Sequence, residues 1–587
     1  MSTGTATSAI DDAATQRLRG HLERIYGDAI AAEVHPRLVE ICERYAERLR
    51  PVPRRQGVDE SDVLLITYGD QVREPDRRPL ETLHGFLSDH LQDLVSGVHL
   101  LPHYPSTSDD GFAVADYLKV DPALGTWRDV LRLGRDFDLM LDAVVNHTSQ
   151  SGRWFRKWAR DEPAFRDFFI SLPSDTDTSS VTRPRTSPLL TPVETARGLE
   201  YVWTTFSSDQ IDLNYANPEV LLAVCEVLLL YVEHGARLLR LDAIAFLWKR
   251  LGSSCVHLPE THEVIKLWRT MFDAVAPGTL LVTETNVPHA ENVSYFGDGY
   301  DEAHLVYQFP LPPLTLSAFQ LADASPLAEW IATLDTPSEQ TSFLNFLGCH
   351  DGIGLRPAEG LLTPGEIEHL CELAKGHGGG VSYRAQPDGT MSPYELNTVF
   401  FDALNPLHVT EPSERRIRRF LAAHAILLAL QGVPLLYIQA VLGSHNWVEG
   451  VERTGRLRSI NRQKFDLDEL ESELADPASH RRRVLDGLRD LVHVRRNERA
   501  FHPAGAQRVL PTPDPVLGLE RTSPDGRRRV LALTNVSGRP QALRLGPDPA
   551  LAARFVDLFD GRVERGHSDG VLEVGLAPYG VRWLAAR

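Results

Sequence analysis

The chain has 587 residues, with 80 Asp and Glu against 61 Lys and Arg and a formal charge of −19, a balance that repels a phosphate backbone and argues against nucleic acid as a partner. This length exceeds what one core usually holds, so two or three domains are expected. Five cysteines, Cys42, Cys225, Cys255, Cys349 and Cys371, occur singly with no CxxC pair, which suggests neither a disulfide framework nor a zinc cage and points to the cytoplasm. The N-terminus lacks a basic start and an apolar core, and no run reaches the roughly 18 apolar residues of a membrane span.

From Gln16 to Arg50, apolar residues including Leu18, Leu22, Ile25, Leu38, Ile41, Tyr45 and Leu49 recur at helical spacing, with a break expected near Pro36. Residues 1–60 read as a helical extension packed on the main domain. Eight apolar strand-like runs then begin near Val63, Gly97, Leu139, Arg237, Thr279, His304, Ser342 and Gly432, separated by amphipathic stretches. The alternation predicts an α/β fold, a (β/α)8 TIM barrel over residues 61–500. The intervals after His147 and Asp351 are long, and such insertions belong at the carboxyl ends of the strands, where they would act as lids. Beyond Phe501, short β-like runs such as "RRRVLALTNVSG" and "LEVGLAPYGVRWLAA" predict a small C-terminal β domain over residues 501–587.

Three segments carry acids at the ends of such runs: Arg240-Leu-Asp242, Glu284 in "LLVTETN", and His350-Asp351 in "FLNFLGCHD". Each alone is ambiguous, since an Arg-x-Asp pair is commonly a structural ion pair. Together they place three carboxylates at the catalytic face of one barrel. Retaining glycosyl transfer needs an ionised carboxylate as nucleophile and a protonated carboxyl as acid and then base, about 5 Å apart. Asp242 fits the first role, because Arg240 two residues earlier shares its strand face and would keep it ionised. Glu284 fits the second, with its proton retained by burial and by the neighbouring acids. Asp351 is free to grip the sugar's hydroxyls, with His350 and His147 adding hydrogen bonds. Neither a metal nor an organic cofactor is implied.

These residues resemble an ordered set of signatures. "DAVVNHTS" with Asp142, Asn146 and His147, "QIDLNY", "RLLRLDAIA", "TET" and "GCHD" resemble the five signatures of the α-amylase family, glycoside hydrolase family 13. The resemblance implies Asp242 as nucleophile, Glu284 as acid/base and Asp351 as transition-state stabiliser. "LLITYGDQV", "SDDGFAVADY", "HDGIG", "SINRQKF", the loop Arg183-Pro184-Arg185 and the segment Tyr394-Glu395-Leu396-Asn397 are similar to the sucrose phosphorylase subfamily. That likeness implies a glucose pocket lined by Asp109, Phe112, His147 and Arg462, and a phosphate and acceptor site with Arg185, Tyr394 and Glu395.

Longer stretches, "RPRTSPLLTPVETARG", "FLWKRLGSSCVHLPETHEVIKL" and "MSPYELNTVFFDAL", resemble the glucosylglycerate and glucosylglycerol phosphorylases of that subfamily. The implied reaction is retaining phosphorolysis of a small glucoside, foremost glucosylglycerate, to α-glucose 1-phosphate. Inorganic phosphate would be the co-substrate, with no membrane partner and a possible homodimer. Phosphorolysis of glucosylglycerol or of sucrose remains the alternative, with hydrolysis or transglycosylation of an α-glucoside ranked below them. At "LGSHNWVEGVE" the chain has His445-Asn446-Trp447 where relatives commonly carry Arg-Asn-Asp, placing Trp447 where an acid would stand beside the pocket. The acceptor therefore stays open, with Arg356, Lys249 and Arg185 as candidates to bind a carboxylate.

Overall fold

A computed structural model describes residues 10–49, 55–185, 187–385, 390–406 and 411–587. Eight parallel strands close into a barrel: β1 (Leu64–Thr67), β2 (Gly97–Leu100), β3 (Asp138–Ala143), β4 (Ala236–Leu241), β5 (Leu280–Thr283), β6 (Leu305–Tyr307), β7 (Ser342–Asn345) and β8 (Val433–Tyr437). All eight runs anticipated from the sequence are barrel strands. Each pairs with its neighbours in sequence, and β8 closes on β1 with Leu64 opposite Leu435. β1, β4 and β5 are buried at every position, which is why β1 and β5 read as apolar runs instead of alternating ones, while in β4 the buried Arg237 and Arg240 are held by Asp138 and Asp142. Gly97 opens β2 where a Cβ would lie 2.6 Å from Leu64 and 2.7 Å from the Asp138 carbonyl, so a larger residue would force the first three strands apart.

Two helices precede the barrel, α1 (Asp12–Tyr26) and α2 (Asp28–Leu49). The Asp11 carboxylate caps α1 by accepting the Ala14 N–H at 2.5 Å. They pack on the outer helices α3 (Pro218–Glu233) and α4 (Pro259–Val275), with ion pairs such as Glu263 to Arg24 at the seam. The break falls at Gly27, with φ 80° and ψ 164°, and Pro36 lies inside α2. Burial of Val34 and Leu38 on both sides of the proline holds the helix together, while Gly27 takes a backbone conformation that side chains resist.

Both long insertions stand at the carboxyl ends of the strands. The one after β3 contains the antiparallel pair His147–Ser149 with Gln210–Asp212 and a hairpin, Leu190–Thr195 with Gly198–Trp203. The one after β7 forms a three-stranded sheet of Ile353–Gly354, Met391–Asn397 and Gly380–Ala385. Past Phe501 the chain builds a six-stranded antiparallel sheet and a two-stranded one around Leu531, Leu543, Phe555 and Leu584. The buried Arg521 joins this unit to the barrel by donating to the Ala429 carbonyl at 2.7 Å and the His502 carbonyl at 2.8 Å. No helix among the described residues is long and apolar enough to cross a membrane.

The helix break yields a stability test. Gly27→Ala is expected to cost about 1–3 kcal/mol through backbone strain, whereas Pro36→Ala supplies the missing helix N–H and is expected to raise the melting temperature. Thermal unfolding of the two variants beside the parent checks both signs.

Candidate active site

The centre of the site is a buried guanidinium. Arg240, on β4, donates from Nη1 to Asp142 at 2.5 Å and to Asp242 at 2.9 Å, while Nη2 lies 3.7 Å from Glu284. Asp142 is on β3, Asp242 follows β4 and Glu284 follows β5, so three adjacent strands aim their acids at one cation. Asp142 also meets His99 of β2 at 3.0 Å. The residue after Asp242, Ala243, is left-handed with φ 50°, and this turn points its N–H at Glu284 Oε2, 3.1 Å away.

The electrostatics follow from burial. Removal from water, then the carboxylates of Glu284, Asp142 and Asp351, raises Asp242 against the pull of Arg240. Burial and Asp351 likewise raise Glu284. The pair therefore retains a proton that an exposed carboxyl would release. Within the pair, burial raises Asp242 the more strongly, while the Arg240 hydrogen bond at 2.9 Å favours the anion on Asp242 and the Ala243 N–H favours it on Glu284. Burial alone would raise Asp351 too, but Arg458, His350, Arg462 and Arg240 outweigh it and hold Asp351 well below the usual carboxylate range. Burial brings His350 down to about 3, so its imidazole is neutral.

The pocket around these acids is lined by most of the residues expected from the sequence. Asp109, Phe112, His147, His350 and Asp351 line it, with Arg185 from the first insertion and Tyr394 and Glu395 from the second. Phe112 stacks on His350 with ring centres 5.1 Å apart and planes 9° from parallel. His147 Nε2 is 3.0 Å from the Phe112 carbonyl, and Gln210 donates to Asp109 at 3.1 Å. Asp109 and Asp110 are both left-handed, with φ 54° and 49°, a conformation that Asp tolerates better than most residues. Asp109 faces the pocket, and Asp110 pairs with Arg462.

Several expectations change. Arg462 does not line this pocket. Its guanidinium stands behind the lining, held by Asp110 and by the His350 carbonyl at 2.8 Å with Asp351 at 3.5 Å, and it borders a neighbouring cavity with Tyr68 and Lys464. Glu395 reaches the pocket, but both its carboxylate oxygens accept from one edge of Arg458, Nε at 3.0 Å and Nη2 at 2.6 Å. Lys249 is buried, with its ammonium 2.7 Å from both Asp212 and Asn146 and 3.4 Å from the Leu247 carbonyl, so its three donors are taken and it does not line the pocket. His445 pairs with Asp402 at 2.7 Å, and Trp447 lies in the neighbouring cavity, so the His445-Asn446-Trp447 departure does not form a wall of this pocket.

Sequence reasoning missed Arg458. It lines the pocket and pairs with Asp351 and Glu395 together, joining the strand-end acid to the second insertion. The one available signal was its place a helical turn before Arg462 in "RLRSINR". Cys349, His350 and Asp351 bring their ligand atoms within 4.8 Å, but Asp351 is already paired with arginine and burial keeps Cys349 a neutral thiol.

Residues 72–352 match the family model of the α-amylase catalytic domain. The chain is 51% identical over 533 residues to a glucosylglycerate phosphorylase of Allomeiothermus silvanus, covering 90% of this chain and 94% of that protein. It is 46% identical over 583 residues to a glucosylglycerate phosphorylase of Spirochaeta thermophila, covering 97% and 98%. Among solved structures, the sucrose 6F-phosphate phosphorylase of Thermoanaerobacter thermosaccharolyticum superposes with a TM-score of 0.70 at 26% identity, covering 81% of this chain and 94% of that one.

Because Arg458 depresses Asp351, Arg458→Ala is expected to raise that carboxyl's pKa and move the acid limb of the kcat/KM profile to higher pH. Arg458→Lys, which keeps the charge but loses the fork, is expected to move it less. The pH–rate profiles of the two variants supply the measurement.

Proposed function

The chain belongs to the α-amylase family, and we propose that its site cleaves glucosylglycerate by double displacement, with inorganic phosphate as the second-step nucleophile. The observation that carries the chemistry is the single guanidinium of Arg240 spanning Asp242 and Glu284. It gives one buried carboxyl a reason to stay ionised and leaves the proton to the other.

In the first step Asp242 attacks the anomeric carbon while Glu284 protonates the departing oxygen, releasing glycerate and leaving a glucosyl ester on Asp242. In the second, a phosphate oxygen attacks the same carbon, Glu284 takes the proton, and the ester bond breaks. Two inversions give α-glucose 1-phosphate. Asp351, anionic because of Arg458, accepts hydrogen bonds from the sugar hydroxyls, and Phe112 offers a ring face to the pyranose. Run in reverse, the site glucosylates glycerate. The reading requires phosphate as co-substrate and neither an organic cofactor nor a metal.

Phosphate must approach five pocket carboxylates, Asp109, Asp242, Glu284, Asp351 and Glu395. Arg185, on the first insertion and 6.0 Å from the Tyr394 ring centre on the second, supplies positive charge where the lids meet. An arginine–oxyanion contact is among the stronger charge-assisted bonds.

Asp242→Ala is expected to abolish turnover, since no glucosyl-enzyme can form; undiminished activity would sink the assignment. Glu284→Gln is expected to be severe with the natural donor, yet a donor with a good leaving group should restore the first half-reaction, which burst kinetics would show. Arg185→Ala is expected to raise KM for phosphate about 10-fold or more, from a lost contact of about 1.5–3 kcal/mol, with a smaller change for the donor. Equal losses for phosphate and donor would instead point to a folding role for Arg185.

A further inference from the structure

The pocket's cations divide into those already paired and those not. Arg240 is held by Asp142 and Asp242, Arg458 by Asp351 and Glu395, and Arg384 by Glu359 at 2.7 Å. Arg183 donates to the Ser187 carbonyl. Two guanidinia that line the same pocket, Arg185 and Arg356, make no hydrogen bond or ion pair among the described residues. Arg185 packs over Tyr394, whereas Arg356 has no such support.

Arg356 is placed by a specific piece of backbone. It lies five residues beyond Asp351, in a short 3-10 turn, Arg356–Ala358. The preceding turn is pinned on two sides. The Leu355 N–H donates to the Tyr394 carbonyl at 3.0 Å, and Gly354 packs so closely on Asn286 that a Cβ there would lie 3.1 Å from Nδ2. Asn286 is two residues beyond Glu284 and also lines the pocket, and its Oδ1 is buried with no hydrogen-bond partner. A buried acceptor without a donor is costly unless something fills that role. A guanidinium and an amide oxygen, each without a partner among the described residues, therefore line the same pocket as Glu284, on segments joined by the Gly354–Asn286 contact.

We propose that Arg356 and Asn286 form the subsite for the leaving group, with Arg356 pairing to the carboxylate of a small hydroxy acid and Asn286 Oδ1 accepting from its hydroxyl. This deepens the functional reading above and rests on it. It divides the anions between two arginines, Arg185 for phosphate and Arg356 for the hydroxy acid, which occupy the acceptor side in successive half-reactions. It also makes preference for an acid over the matching neutral polyol a property of one side chain. Phosphate affinity then depends on the other arginine.

The test runs the reaction towards synthesis, with α-glucose 1-phosphate as donor and glycerate or glycerol as acceptor, and measures KM for phosphate in the other direction. The parent is expected to prefer glycerate. Arg356→Gln is expected to raise KM for glycerate about 10- to 100-fold, the size of a lost charge-assisted contact, while KM for glycerol and for phosphate changes less than about twofold. Arg356→Lys, which keeps the charge, is expected to fall between the parent and Arg356→Gln, and Asn286→Ala to weaken glycerate and glycerol together. Retained preference for glycerate in a folded Arg356→Gln, or an equal rise in KM for phosphate, would overturn the subsite while leaving the phosphorylase reading intact. A parent enzyme that prefers glycerol would overturn the choice of donor, and the subsite with it.

Discussion

The guanidinium of Arg240, cut off from bulk water and hydrogen-bonded to Asp142 and Asp242 with Glu284 just beyond, sets the charge balance of the whole barrel mouth. A buried cation is tolerable only among anions, and buried anions need a cation, so each member is costly without the others. Removing one partner from such a set typically costs about 3–5 kcal/mol, because an uncompensated charge is left behind. The strands explain why the arrangement is stable. Asp142 and Arg240 are opposite one another in the β3–β4 register, so the backbone ladder fixes the ion pair before any substrate arrives. The remaining carboxyls are then distinguished by their distance from one cation, 2.9 Å for Asp242 and 3.7 Å for Glu284.

A second cation extends this logic to the lids. Arg458 links Asp351, at the end of β7, to Glu395 on the insertion that follows it. The same insertion carries Tyr394, which meets Arg185 from the other lid. Asp351, Glu395 with Tyr394, and Arg185 are thus mechanically joined. Among the described residues, Arg185 and Arg356 are the two pocket guanidinia without an ion pair. In the proposed reaction these two uncommitted charges would let a site with five acidic side chains take phosphate and a carboxylic acid.

The parts of this architecture that were legible in the sequence are those governed by local rules. Continuous apolar runs announced all eight strands, because both faces of a barrel strand are covered. The acids were legible because each ends such a run. Pro36 misled because helix propensity is a local prior that burial on both sides of a residue can override, and Gly27 was the quieter but decisive signal. Arg462, Lys249 and Glu395 were expected to contact substrate, but their side chains are occupied by Asp110, by Asp212 with Asn146, and by Arg458. Such pairings join segments far apart in the chain, Arg458 and Glu395 being 63 positions apart, and no periodicity records them. The same reason hid Arg458 itself, and it moved Trp447 from the pocket to the cavity next door.

The central claim is that Asp242 and Glu284, divided in protonation by Arg240, carry a glucosyl group through two inversions to phosphate. The most direct measurement follows glucosylglycerate in phosphate buffer by proton and phosphorus NMR during the first turnovers. The account predicts α-glucose 1-phosphate as the first sugar product, formed in step with free glycerate, and very slow glucose release when phosphate is withheld. A β-configured phosphate ester as first product, or glucose released as fast without phosphate as with it, would contradict it.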